Sequence, residues 1–267
     1  MKQRIISAFF AVILLVLVLL SNKYVLDVVV AIISSMAIFE VLSAIKMKEY
    51  KIMRTIAILM PFALLLTFYV CKEYIGAVVY LFIAAFLLTM LFDHKRYTFD
   101  TAVKFITVSL MISLMFIHVS FVRSMDNGVL NLWVILIGCW ITDTCAYFTG
   151  YVCGKHKLAP TISPKKTIEG SIGGVVGVTV VLVAYAYVMG NIYNISANLL
   201  YAAIIGLICG VISQLGDLCA SIIKRENGVK DFGNIMPGHG GVMDRFDSFL
   251  FVVPCVYYFL SNFPIFS

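Results

Sequence analysis

Nine apolar stretches of 15 to 25 residues, separated by short loops holding most of the charge, constrain this chain more than any other feature. A membrane crossing needs about 20 apolar residues. In lipid each backbone N–H and C=O must be satisfied within its own segment, so each stretch predicts a helix. They run Ile5–Leu20, Val25–Ile45, Thr55–Cys71, Tyr74–Phe92, Phe105–Val122, Val129–Phe148, Ile172–Met189, Leu199–Ile223 and Phe246–Leu260. The first resembles a signal peptide, but no small-x-small cleavage site follows, so it reads as a retained span. Composition agrees. Of the 267 residues 62% are hydrophobic and 13% charged, about half the charge of a soluble domain. That excludes a disordered chain, a nucleic-acid-binding arm and an ordinary soluble enzyme. Seven scattered cysteines form no CxxC pair and read as small helix-packing hydrophobes.

Loop charge supplies the direction. With the N-terminus inside, the inner segments hold 17 of the 20 Lys and Arg residues, and only Lys23, Lys72 and Arg123 fall outside. Such a bias is what the positive-inside rule requires, and one span more or fewer would scramble it. The expected architecture is an all-α polytopic integral membrane protein of about nine helices, with a cytoplasmic N-terminus and an outer C-terminus. Residues 1–123 read as a scaffold of apolar helices, and residues 124–267 as the part carrying chemistry.

Seven of the 14 acids lie between positions 143 and 247. An ionisable group inside a span is costly, so it is a functional candidate by default. Asp143 sits near the inner end of the sixth span and Asp217 far along the eighth. Ser213, Asp217, Ser221 and Lys224 are spaced four, four and three apart, which places them on one helix face. Asp244, Asp247 and Ser248 repeat this at the start of the ninth span. Two carboxylates at a helix N-terminus suit the dipole and a bridging hard cation. Between the two helices lie Lys224, Arg225, Lys230 and the run Pro237-Gly238-His239-Gly240-Gly241, followed by Arg245. Glycines let backbone N–H groups approach a phosphate closely. No GxxxxGK[ST] phosphate loop occurs. Lys165 and Lys166 precede the Gly-rich start of the seventh helix, which Ser163 or Thr167 is placed to cap, with Glu169 in its first turn. His94, His118 and His156 lack metal-ligand spacing. Glu40, in the second span, is expected to be paired locally or shielded.

From Ser221 to Asp247 the sequence resembles the signature of phosphatidate cytidylyltransferases, also called CDP-diacylglycerol synthases. That signature runs Ser-x-apolar-Lys-Arg, four residues, Lys-Asp-x-Gly, then Pro-x-His-Gly-Gly-apolar-x-Asp-Arg-apolar-Asp. It is carried here by Ser221, Ile223, Lys224, Arg225, Lys230, Asp231, Gly233, Pro237, His239, Gly240, Gly241, Val242, Asp244, Arg245, Phe246 and Asp247. The stretch from Asp143 to Gly170 is similar too. Met236 stands where the pattern usually has Leu, Ile or Phe, and Tyr151 where relatives often carry Arg.

The resemblance implies transfer of CMP from CTP to phosphatidate, with release of pyrophosphate, by an enzyme of phospholipid biosynthesis in the cell (inner) membrane whose active site faces the cytoplasm. It implies a magnesium cofactor on Asp217, Asp244 and Asp247, with Asp143 next. Lys224, Arg225, Lys230 and Arg245 would bind phosphates, and Ser221, His239, Gly240 and Gly241 would shape the cradle. Lys165 and Lys166 would take the lipid phosphate or the triphosphate. Membrane lipids are the expected surroundings and nucleic acid is not a partner; a homo-oligomer is left open. A transporter is disfavoured by the lack of an internal repeat and by the nearly uncharged outer side. The Asp-x-x-Asp-Gly-x-x-Ala-Arg pattern of CDP-alcohol phosphotransferases is absent.

Overall fold

The computed structural model describes residues 13–235 and 240–267. The opening of the first predicted span and His239 lie outside them. Helix α1 is described over residues 13–20. It is followed by α2 (Lys23–Ala44), α3 (Lys51–Val70), a 3-10 turn (Lys72–Tyr74), α4 (Ile75–Phe92), α5 (Phe99–Arg123) and α6 (Gly128–Cys153). Strands β1 (Lys157–Ala159) and β2 (Ser163–Thr167) then precede α7 (Ile168–Tyr193), α8 (Leu199–Glu226) and α9 (Met243–Asn262). Among the described residues seven helices, α2 to α8, are long and apolar enough to cross a membrane. The chain is an all-α polytopic membrane protein, and its helices fall where the apolar stretches predict them. Helix α9 covers the ninth stretch with 20 residues, opening on Asp244, Arg245 and Asp247.

The sequence reading did not foresee the β-hairpin between α6 and α7. Its two strands pair antiparallel, with Lys157 opposite Thr167 and Ala159 opposite Ser163. A two-stranded ribbon needs outside support, and Glu169 of α7 provides it. The Glu169 carboxylate accepts the Lys155 and His156 N–H groups at 3.1 and 3.2 Å and lies 2.6 Å from the His156 ring. Thr167 caps α7, its hydroxyl accepting the Gly170 N–H at 3.1 Å.

The chain divides into two compact units, residues 1–120 with 227–245, and residues 121–226 with 246–267. In the first, α2 packs on α3 and α3 on α4. One buried acid there takes an uncharged donor: the Tyr69 hydroxyl donates to Asp27, which is 1% exposed. In the second, α6, α7 and α8 pack pairwise through small residues. Side chains built on Gly206 and Gly210 would collide with Thr179 and Val175 of α7, and one on Gly174 would crowd Thr142 and Ala146 of α6. Apolar helices in lipid gain little by hiding apolar surface from one another, so close backbone approach of this kind holds them.

Candidate active site

Helix α8 brings its polar stripe to the buried side. Ser213, Ser221 and Lys224 are buried, and the half-buried Asp217 looks out beside them. The spacing of four, four and three therefore marks the face turned to protein. Lys166, from strand β2, forms an ion pair with Asp217. Lys224 pairs with Asp247 of α9 at 3.9 Å, and both side chains are about nine-tenths covered. Asp143 of α6 joins electrostatically, interacting with Asp217, Lys166 and Asp247. The second unit thus gathers three carboxylates and two lysines from α6, β2, α8 and α9.

A glycine lies at the contact between α8 and α9. A Cβ built on Gly216 would come within 3.0 Å of the Asp247 carbonyl oxygen and the Phe251 ring. Gly216 and Asp217 are adjacent, so the glycine sets the distance from the Asp217 backbone to the helix carrying Asp247.

Placing like charges together in a membrane protein is costly unless opposite charges accompany them. Here two ammonium groups stand among three carboxyl groups, an excess of one acid that a bound cation would balance. Among the described residues no three carboxylate, histidine or cysteine groups stand close enough to enclose a metal by themselves. Magnesium does not need such a cage, since one or two carboxylates with substrate phosphates and water ordinarily hold it. The donor set fits that mode.

The other predicted residues take these places. Lys165 is exposed on β2, and Arg225 is exposed at the end of α8, its Nε donating to the Ile162 carbonyl at 3.4 Å. Lys230, Asp231, Gly240, Gly241, Asp244 and Arg245 belong to the first unit. Asp244 Oδ2 accepts the Phe232 N–H at 2.8 Å and the Gly241 N–H at 3.0 Å, which ties both backbone positions to the first turn of α9. Gly240 takes φ +85°, a conformation readily open to glycine.

Glu40 is shielded, at 2% exposure, which is one of the two expectations. The other, a local partner, is not met: its Oε2 accepts the Met243 N–H at 2.8 Å, 203 residues away. The available signal was its rarity, as one of two acids within α2.

Comparison with known proteins gives the family. A family model described as the cytidylyltransferase family matches residues 2–263. The chain is 37% identical over 274 residues to the phosphatidate cytidylyltransferase of Bacillus subtilis (strain 168), covering 98% of each. It is 34% identical over 260 residues to the phosphatidate cytidylyltransferase of Staphylococcus aureus (strain COL), covering 95% of this chain and 96% of that one. Over 116 residues, 43% of each chain, identity to the same enzyme of Staphylococcus saprophyticus reaches 53%. By this full-length similarity the chain belongs to the cytidylyltransferase family and is a nucleotidyltransferase.

Proposed function

We propose that the chain transfers CMP from CTP to phosphatidate, giving CDP-diacylglycerol and pyrophosphate, at the cytoplasmic face of the membrane. The observation that carries this reading is the gathering of Asp143, Asp217 and Asp247 with Lys166 and Lys224 in one unit. The full-length relatives named phosphatidate cytidylyltransferase supply the substrates.

In this reaction a phosphate oxygen of phosphatidate attacks the α-phosphorus of CTP, and the bond from that phosphorus to the bridging oxygen of pyrophosphate breaks. The nucleophile is already an anion, so no base need activate it. The barrier is repulsion between the triphosphate and a phosphomonoester that itself carries about −1.5 to −2 charge. Positioning and charge neutralisation are what such a transfer asks of a protein. Lys166 and Lys224 are held in place by Asp217 and Asp247, and arriving phosphates compete for those ammonium groups. Asp217, Asp247 and Asp143 are the proposed magnesium ligands, with Asp244 as a further candidate. Magnesium, when bound, supplies positive charge against the triphosphate and the leaving pyrophosphate. Ser221, buried between Asp217 and Lys224 on α8, is placed to donate to a phosphate oxygen. Arg225, Lys230 and Arg245 add positive charge along the same motif.

The inward bias of the 17 basic residues supports nine crossings, a cytoplasmic N-terminus and a cytoplasmic site, where CTP meets a substrate already in the bilayer. Native Cys153 is exposed beside the hairpin. As the sole cysteine it is expected to react with an impermeant maleimide in inside-out vesicles and to resist it in right-side-out ones. The reverse pattern would invert the topology. The reaction itself is tested by incubating purified protein with CTP, phosphatidate and Mg²⁺. CDP-diacylglycerol in the lipid extract is the expected product, and its absence with both substrates present would sink the reading.

A further inference from the structure

We propose that Glu40 is a positioning residue for catalysis: a carboxylate on the second helix that fixes the start of α9. This rests on the reading of residues 221–247 as the phosphate-handling motif. Glu40 is 2% exposed, deep in the first unit. Its Oε2 accepts the Met243 N–H at 2.8 Å, and the Val242 backbone lies against the same carboxylate. Met243 is the first residue of α9, and the first N–H groups of a helix have no partner within it. Local residues usually fill that need; here a remote carboxylate does, with the helix dipole in its favour.

Two glycines make room for it. A Cβ on Gly241 would stand 2.5 Å from Oε2, and one on Gly233 would fall on the same carboxylate. Asp244 accepts the Phe232 and Gly241 N–H groups beside these two glycines. The approach to α9 is therefore held at Phe232 and Gly241 by Asp244 and at Met243 by Glu40. The residue next to Met243 is Asp244, so Glu40 fixes the backbone from which that acid projects without itself touching substrate.

The test compares Glu40→Ala and Glu40→Gln in the full-length detergent-purified protein. Removing such a supporting carboxylate typically costs about 10- to 100-fold in activity. We expect Glu40→Ala to lose that much in kcat, with the KM for CTP shifting less. Glutamine keeps a carbonyl oxygen for the Met243 N–H, so Glu40→Gln should stay within about threefold of wild type. Hydrogen exchange supplies a readout independent of turnover: Glu40→Ala should lose protection in peptides covering 240–245 and keep it in α3 and α4. Wild-type kinetics in Glu40→Ala would overturn the proposal. So would a folded Glu40→Gln as impaired as alanine, or protection lost across the whole unit, which would mark a core residue instead. If wild-type protein makes no CDP-diacylglycerol, the functional reading fails, while the exchange experiment still decides whether Glu40 holds the start of α9.

Discussion

The two units treat their buried acids differently. In the first, Asp27 accepts from the Tyr69 hydroxyl and Glu40 from a backbone N–H. In the second, Asp217 and Asp247 are paired with Lys166 and Lys224. A neutral donor satisfies an acid and leaves the local charge fixed, which suits a structural tie. A lysine pair can be opened by any competing anion, and each half then has a charge to offer. On the proposed function, the difference separates Asp27 and Glu40, which hold the fold, from Asp217 and Asp247, which await a charged substrate, although both kinds look alike as isolated carboxylates in apolar helices.

Substitution of one acid from each class would break or sharpen that contrast. Asp247→Asn is expected to lower kcat by roughly 100- to 1000-fold, the cost of losing one placed electrostatic group, while the protein inserts and purifies normally. Asp27→Asn keeps an acceptor for Tyr69 and should retain activity within about threefold. Comparable losses in the two variants, measured as CDP-diacylglycerol formed per minute, would erase the distinction.

Lys224→Ala comes next in size. It strips Asp247 of its partner and the site of one phosphate contact. The KM for CTP should rise about tenfold, with a smaller fall in kcat, and steady-state kinetics over a CTP series would show it. An unchanged profile for both substrates would make the Lys224–Asp247 pair structural, like the ties of the first unit. A smaller loss than that of Lys224→Ala is expected from Gly216→Ala, whose methyl would press on the Asp247 carbonyl. Overpacking of this kind costs about 1–3 kcal/mol. Thermal unfolding in detergent should move down by a few degrees and activity should fall by less than tenfold. An unshifted midpoint with full activity would mean that α8 and α9 are not held at that spacing.

Much of this organisation is written in local sequence. Apolar runs long enough to cross a bilayer mark the helices, because lipid offers the backbone no other solution. The stripe from Ser213 to Lys224 announces its buried face because helical spacing alone decides which residues share a side. What could not be read locally depends on partners far apart in the chain. The pairing of Lys166 with Asp217 joins a hairpin strand to a helix 51 positions later, and two adjacent lysines do not say which of them will turn inward. The hairpin is short, and Glu169 anchors it from the next helix. Glu40 is the extreme case, since its partner lies 203 residues away and the glycines that admit it look like ordinary loop glycines.

The account rests on the claim that the lysine-paired acids of the second unit serve nucleotidyl transfer. Pyrophosphate release from CTP by purified wild-type protein and by Asp217→Asn, each with and without phosphatidate in the presence of Mg²⁺, tests it most directly. The account predicts release from the wild type only when phosphatidate is present, and release from Asp217→Asn reduced at least about 100-fold. Equal release from the two proteins, or release from the wild type that ignores phosphatidate, would contradict it.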